Sequence, residues 1–184
     1  MHTHLHPDIL AYTGAELRSH WIYSSFGLAG DAVVAFAGPC EVKLTEMVDL
    51  ADVRANAPIY SEQMLSLIIE HFQADLRSMI LRQRLLTAQV KDLLEAKGVS
   101  GLRRSGDDLY QGQHKLSVSI ATVSPVSGLI HFGINISSNN TPVPTQGLAD
   151  FGLEWTSFAR ELMALYAEEE AGIGTALVKV RWVG

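Results

Sequence analysis

The feature that most constrains this chain is a pair of segments, 116–123 and 130–137, in which apolar residues alternate with small or polar ones. Side chains alternate across a strand, so Leu116, Val118 and Ile120 share one face while Lys115, Ser117, Ser119 and Ala121 share the other. On the second segment Ile130, Phe132, Ile134 and Ile136 lie together, opposite His131, Gly133 and Asn135. Joined through Ser124-Pro125-Val126-Ser127-Gly128, the two read as an antiparallel hairpin. Matching Val123 with Leu129 keeps the apolar faces together, and sets Ser119 opposite Gly133 and Ser117 opposite Asn135. A solvated sheet face carries long or β-branched polar side chains. Ser, Ser, Ala and Gly leave a shallow floor instead, ringed by Lys115, His131, Asn135 and the pair Asp107-Asp108. This pattern predicts a ligand cleft.

The 184 residues, 47% of them apolar, suffice for one domain over 1–184 with a full core. Residues 1–12 are expected to be a loosely ordered N-terminal segment. His2, His4 and His6 alternate and would share one side of a strand, as zinc ligands do, but at a terminus the reading favours a frayed tail. The single cysteine, Cys40, excludes an internal disulfide and fits a reducing, cytoplasmic setting. Its apolar neighbourhood favours a buried structural thiol over a nucleophile. No apolar run approaches the roughly 20 residues needed to span a bilayer, and no signal peptide is evident, so no membrane partner is expected.

A net charge of −6 argues against a nucleic-acid partner. The charge is uneven: residues 75–104 carry +4 and the remainder −10. A solvated face accounts for Arg77 to Lys97. Arg103 and Arg104 stand beside the cleft motif and are candidates to hold an anionic ligand.

The chain order is mixed. Trp21 to Phe26 and Ala32 to Ala37 read as strands, with Val42 to Val48 as a third candidate. Ser61 reads as the N-cap of a helix through Phe72. Leu76 to Leu81 fits strand or helix, and a helix follows from about Gln83 to its stop at Gly98. Residues 139–145 form a proline-rich loop. Trp155, Phe158, Ala159, Leu162, Met163 and Tyr166 form an amphipathic helical stripe, expected to end at Glu168 to Glu170. Ala176 to Trp182 reads as a closing strand. The expected class is α+β, a mainly antiparallel mixed sheet with helices packed on it.

The segments Arg104-Ser105-Gly106-Asp107-Asp108-Leu109-Tyr110, Lys115-Leu116-Ser117 and His131-Phe132-Gly133-Ile134-Asn135-Ile136 resemble the catalytic half of the biotin and lipoate protein ligases. Over nearly its full length the chain also resembles an uncharacterised prokaryotic domain-of-unknown-function family (number 366) associated with that fold. In the biotin-ligase register Arg104, Asp107 and Asp108 match the Lys, Asn and Asp of a Lys-Trp-Pro-Asn-Asp motif. Lys115 matches the ligand-binding lysine, and Gly133 and Asn135 the end of a Gly-Ile-Gly-Ile-Asn strand. The resemblance implies ATP-dependent adenylation of a small carboxylic acid. Lys115 and Asp108 would then be catalytic, Asp107 and Asp108 would hold Mg²⁺, and Arg103, Arg104, Asp107, Ser117, Ser119, His131, Gly133 and Asn135 would contact ligand. His131 is also a candidate general base, although a hydrogen-bonded structural role is favoured.

The chain departs from the ligases between Ala51 and Gly101, where no glycine- and arginine-rich adenylate loop occurs. Two function classes therefore stay open. One is an acyl-adenylating ligase or transferase using ATP and Mg²⁺. The other is a non-catalytic domain of the same descent that binds a small anionic or carboxylic ligand or nucleotide, with a homodimer admitted.

Overall fold

The computed structural model describes residues 1–184. In chain order the elements are β1 (His2–Leu5), α1 (Trp21–Phe26), β2 (Ala32–Val42), α2 (Leu50–Ala55), β3 (Ile59–Phe72), α3 (Leu76–Ala96), β4 (Leu102–Ser105), β5 (Asp108–Gln111), β6 (His114–Lys115), β7 (Ser117–Val123), β8 (Ser127–Asn135) and α4 (Trp155–Lys179). A five-stranded sheet runs β1-β2-β3-β8-β7, and a small one runs β4-β5-β6. Only β1 pairs parallel; every other ladder is antiparallel. The α+β expectation therefore holds. No helix is long and apolar enough to cross a membrane.

The large sheet is covered on both sides. Leu65, Leu67, Ile69, Ile130, Phe132 and Ile134 pack with Leu86, Val90, Phe158, Leu162 and Tyr166 of α3 and α4. On the opposite face Val34, Phe36, Met64 and Ile68 pack against Tyr12, Trp21 and Ile22. The stripe on α4 thus lies in the core as its spacing predicts, with Trp155 half-buried at its edge.

The double cover accounts for the largest departure from the sequence reading. Ser61 to Phe72, expected to be a helix, is the inner strand β3, paired with both β2 and β8. A strand buried on both faces is apolar nearly throughout, and periodicity alone cannot separate it from a buried helix. Trp21–Phe26, expected as a strand, is a short helix closed by Gly27 at φ 69°. Residues 176–179, expected to begin a closing strand, prolong α4 past Glu170 without joining the core. β2 ends at Val42, so no strand runs on to Val48.

The N-terminal residues expected to be loosely ordered lie along β2. His2–Leu5 pairs with Ala32–Ala35, and Leu10 N–H and Tyr12 N–H donate to Ala37 O and Pro39 O at 3.0 and 2.9 Å. Gly38 permits this approach, because a Cβ there would stand 2.2 Å from Leu10 O. Cys40 is buried beneath this segment, its thiol pushed up to about 12 by desolvation and then by Glu16, as befits a structural residue.

At the far end of the sheet, His71 ties the helical layer to β3. Its Nε2 accepts from the Tyr166 hydroxyl at 2.8 Å, and its Nδ1–H donates to Asp31 at 3.1 Å. Burial holds the His71 pKa below its usual value, against the opposing pull of Glu170 and Asp31. Tyr166→Phe leaves that buried nitrogen without a partner. It should destabilise the fold by about 1–3 kcal/mol in urea unfolding near neutral pH.

Candidate functional site

The hairpin forms, but one residue out of the expected register. Ser124 N–H donates to Ser127 O at 2.7 Å across Pro125-Val126, and Val118 faces Gly133 while Ser119 faces Phe132. Because the side-chain period is two, this slip exchanges every face of β7. Ser117, Ser119 and Ala121 turn toward the side of Phe132 and Ile134, and Val118 and Ile120 join His131 and Gly133. The small residues of β7 are small because α3 lies over them: Gln83 Nε2 reaches Ser119 Oγ at 2.8 Å. The expected serine floor is therefore corrected to an apolar one.

A cleft exists above that corrected floor. Its main cavity, about 190 Å³, is lined by Lys115, Asn135, Met64, Val118, Ile59, Asp52 and the loop Thr141 to Thr145. A smaller hollow of about 50 Å³ shares Asp52, Ile59 and Val118, and continues to Tyr12, Val42, Glu46, Asp49 and His131. One wall is the segment carrying α2, whose first turn is capped by Asp49 accepting from Ala51 N–H at 2.7 Å. The other is the proline loop, clamped to β6 by Lys115 N–H donating to Pro144 O at 3.0 Å and Gln146 N–H to Lys115 O at 3.3 Å.

Lys115 reaches the cleft with its ammonium 3.0 Å from Asp108, whose other oxygen accepts from the Tyr110 hydroxyl at 3.2 Å. Asn135 stands beside it, 5% exposed, and its carboxamide makes no hydrogen bond within the protein. Its polar atoms open onto the cavity, where water or a ligand can satisfy them.

Several expected site residues are engaged elsewhere. Asp107 accepts from Gln83 and Ser119 and pairs with Arg84 at 3.3 Å, which ties the β4–β5 turn to α3. Arg104 donates to Gly106 O at 2.7 Å, and Arg103 lies over the Tyr110 ring at 4.6 Å; neither lines the cleft. Ser117 Oγ accepts from Leu109 N–H at 3.0 Å, so its hydroxyl is committed although the residue borders the cavity. Gly133 makes room for Met64, whose sulfur a Cβ would meet at 2.3 Å. The oxygens of Asp107 and Asp108 all have protein partners, and no three His, Cys, Asp or Glu side chains gather closely enough to hold a metal. An Mg²⁺ at the expected site would have to displace Lys115, Tyr110, Arg84, Gln83 or Ser119 from these carboxylates.

His131 lies beneath the hollow, stacked on Tyr12 with centroids 3.6 Å apart and bonded to Ser66 at 3.2 Å. Desolvation lowers its pKa to about 3, which suits a neutral core histidine. The cleft residues that motif reading missed are Asp52, Asp49, Glu46 and Tyr12. Their one signal is the spacing of three between Glu46, Asp49 and Asp52.

The whole chain, residues 1–181, matches the model of a family described as a domain of unknown function (DUF366). The "Uncharacterized protein MJ0805" of Methanocaldococcus jannaschii is 39% identical over 88% of this chain and 76% of its own length. The chain belongs to that family. A solved protein of unknown function from Pyrococcus horikoshi superposes with a TM-score of 0.94 at 38% identity, over 99% of this chain and 98% of that one. The fold is that of the lipoate and biotin ligases. A bi-partite lipoate protein ligase from Thermoplasma acidophilum gives a TM-score of 0.59 at 12% identity, over 91% and 82% of the two chains. A biotin acetyl coenzyme A carboxylase synthetase from Helicobacter pylori with bound biotinylated ATP gives 0.57 at 14%, over 92% and 75%.

A histidine held at about 3 when folded, against roughly 6.5 when unfolded, adds stability that is whole above the unfolded value. That stability is lost as pH falls, because the unfolded chain takes up a proton that the folded one refuses. Between about pH 7 and about pH 5 the loss from His131 should be about 2 kcal/mol. His131→Gln should flatten the measured pH dependence of urea unfolding by that amount.

Proposed function

We propose that this protein binds a small carboxylic acid in the cleft, with Lys115 and Asn135 receiving the carboxylate and Val118, Ile59 and Met64 supporting an apolar body. The observation that carries this reading is the Asn135 carboxamide, which bonds nothing in the protein and faces the cavity that Lys115 also lines. Lys115 has three N–H donors and Asp108 engages it on one side, which leaves donors for a ligand. A cavity of about 190 Å³ lies below the roughly 300–1,000 Å³ of drug-sized sites, so the ligand is compact.

The same residues argue against ATP as a partner. Polyphosphate recognition uses several cations or a cradle of backbone N–H groups. Lys115 is the one Lys or Arg lining these two neighbouring cavities, and Glu46, Asp49 and Asp52 line them with it. The β2–β3 connection, residues 43–58, is acidic and has neither glycine nor an arginine cluster. These residues do not fit ATP and Mg²⁺, and binding without adenylation is the function that the geometry supports best.

Isothermal titration with valerate, caproate, lipoate and ATP–Mg²⁺ tests the reading. At least one carboxylic acid should bind saturably, and ATP–Mg²⁺ should not. Lys115→Ala should weaken the acid by about 1.5–3 kcal/mol, the scale of a charge-assisted hydrogen bond, without unfolding the chain. Equal affinity in the two proteins would overturn the assignment of Lys115.

A further inference from the structure

Once the internal ion pairs are counted, the cleft is left with negative charge. The Lys115 ammonium is met by Asp108 at 3.0 Å. Asp52 borders both the main cavity and the hollow, and Glu46 borders the hollow; neither carboxylate has a cation or an N–H donor within bonding distance there. Lys43 and Arg54, on the same segment, line neither of the two cavities. Asp52 is half-buried on the inner side of α2. Burial raises its pKa, Asp49 adds to the rise, and Asp108 and Asp107 add further, while Lys115 opposes them. A cation placed there would relieve that repulsion. Asn135, 5% exposed and with a carboxamide that bonds nothing in the protein, faces the same cavity at its Lys115 end.

We propose that the ligand is a zwitterion, a small amino acid whose carboxylate meets Lys115 and Asn135 while its protonated amine meets Asp52 across the cleft. The inference rests on the carboxylic-acid reading and adds the second charge. A simple fatty acid would leave Asp52 unpaired beside an apolar chain, and a polyanion would meet Asp52 and Glu46 directly. An ω-amino acid satisfies both ends with a short apolar bridge over Val118 and Ile59.

The test is calorimetric titration of the full chain with γ-aminobutyrate, δ-aminovalerate and ε-aminocaproate, each beside its parent acid and its parent amine. The expected result is that one amino acid binds about tenfold or more tightly than both of its parents. Asp52→Asn should erase that advantage and leave the acid's affinity within about twofold, as expected for losing one charge-assisted contact. The substitution is isosteric on a half-exposed helix, so the core is untouched. If an acid binds as tightly as its amino acid and Asp52→Asn is silent, the zwitterion fails and the carboxylic-acid reading stands. If an amine binds as tightly and Lys115→Ala is silent, both fail. An Asp52-dependent thermal shift with Mg²⁺ or Ca²⁺ alone, or no binding by any probe, also overturns the proposal.

Discussion

The antiparallel pairing of β3 with β8, nine consecutive residue pairs in which every residue but Phe72 is buried, is the constraint on which the rest of this molecule depends. An inner strand can bury both faces only if layers cover both, and the chain supplies α3 and α4 on one side and α1 with the N-terminal segment on the other. Polar groups trapped in the pair must then find partners inside. Glu70 accepts from Ser127 and from His20 N–H, His71 is held between Asp31 and Tyr166, and His131 bonds Ser66. Asn135, where β8 ends at the cleft, is the member of this group whose side chain has no protein partner.

The cleft is a by-product of how the sheet edge is closed. β7 supplies its apolar floor, β6 delivers Lys115, and the chain between β2 and β3 folds over them as a wall that carries Asp49 and Asp52. The ligase fold is kept, and that wall brings Glu46, Asp49 and Asp52 to the cleft. Fold kinship does not by itself fix ligand chemistry, which depends on the side chains that the connections present.

Legibility in the sequence followed how local the determining interaction was. The stripe from Trp155 to Tyr166, the proline loop, the buried state of Cys40 and the two strands of the hairpin rest on spacing and on proline or glycine chemistry within a few residues. Each stands in the fold as its pattern suggests. Of the site, Lys115, Asp108 and Asn135 were visible through short motifs, and the structure brings all three to one end of the cleft or its rim. Asp107, Arg103 and Arg104 belong to the same motif stretch, yet their contacts with Arg84, Tyr110 and Gly106 come from a turn and a helix that local sequence does not announce.

The sequence by itself determined that this chain is α+β, that residues 116–137 form a hairpin and that a lysine and an asparagine stand at its open end. Those conclusions need only periodicity and residue type. Tertiary structure alone decided that β3 is a strand, because covering layers on both sides remove the amphipathic signature that would distinguish it. It also decided which face of β7 forms the floor of the cleft. A slip of one residue exchanges the faces at no local cost, and the choice is made by α3, whose Gln83 and Thr87 lie near Asp107 and leave room only for serine and alanine beneath them.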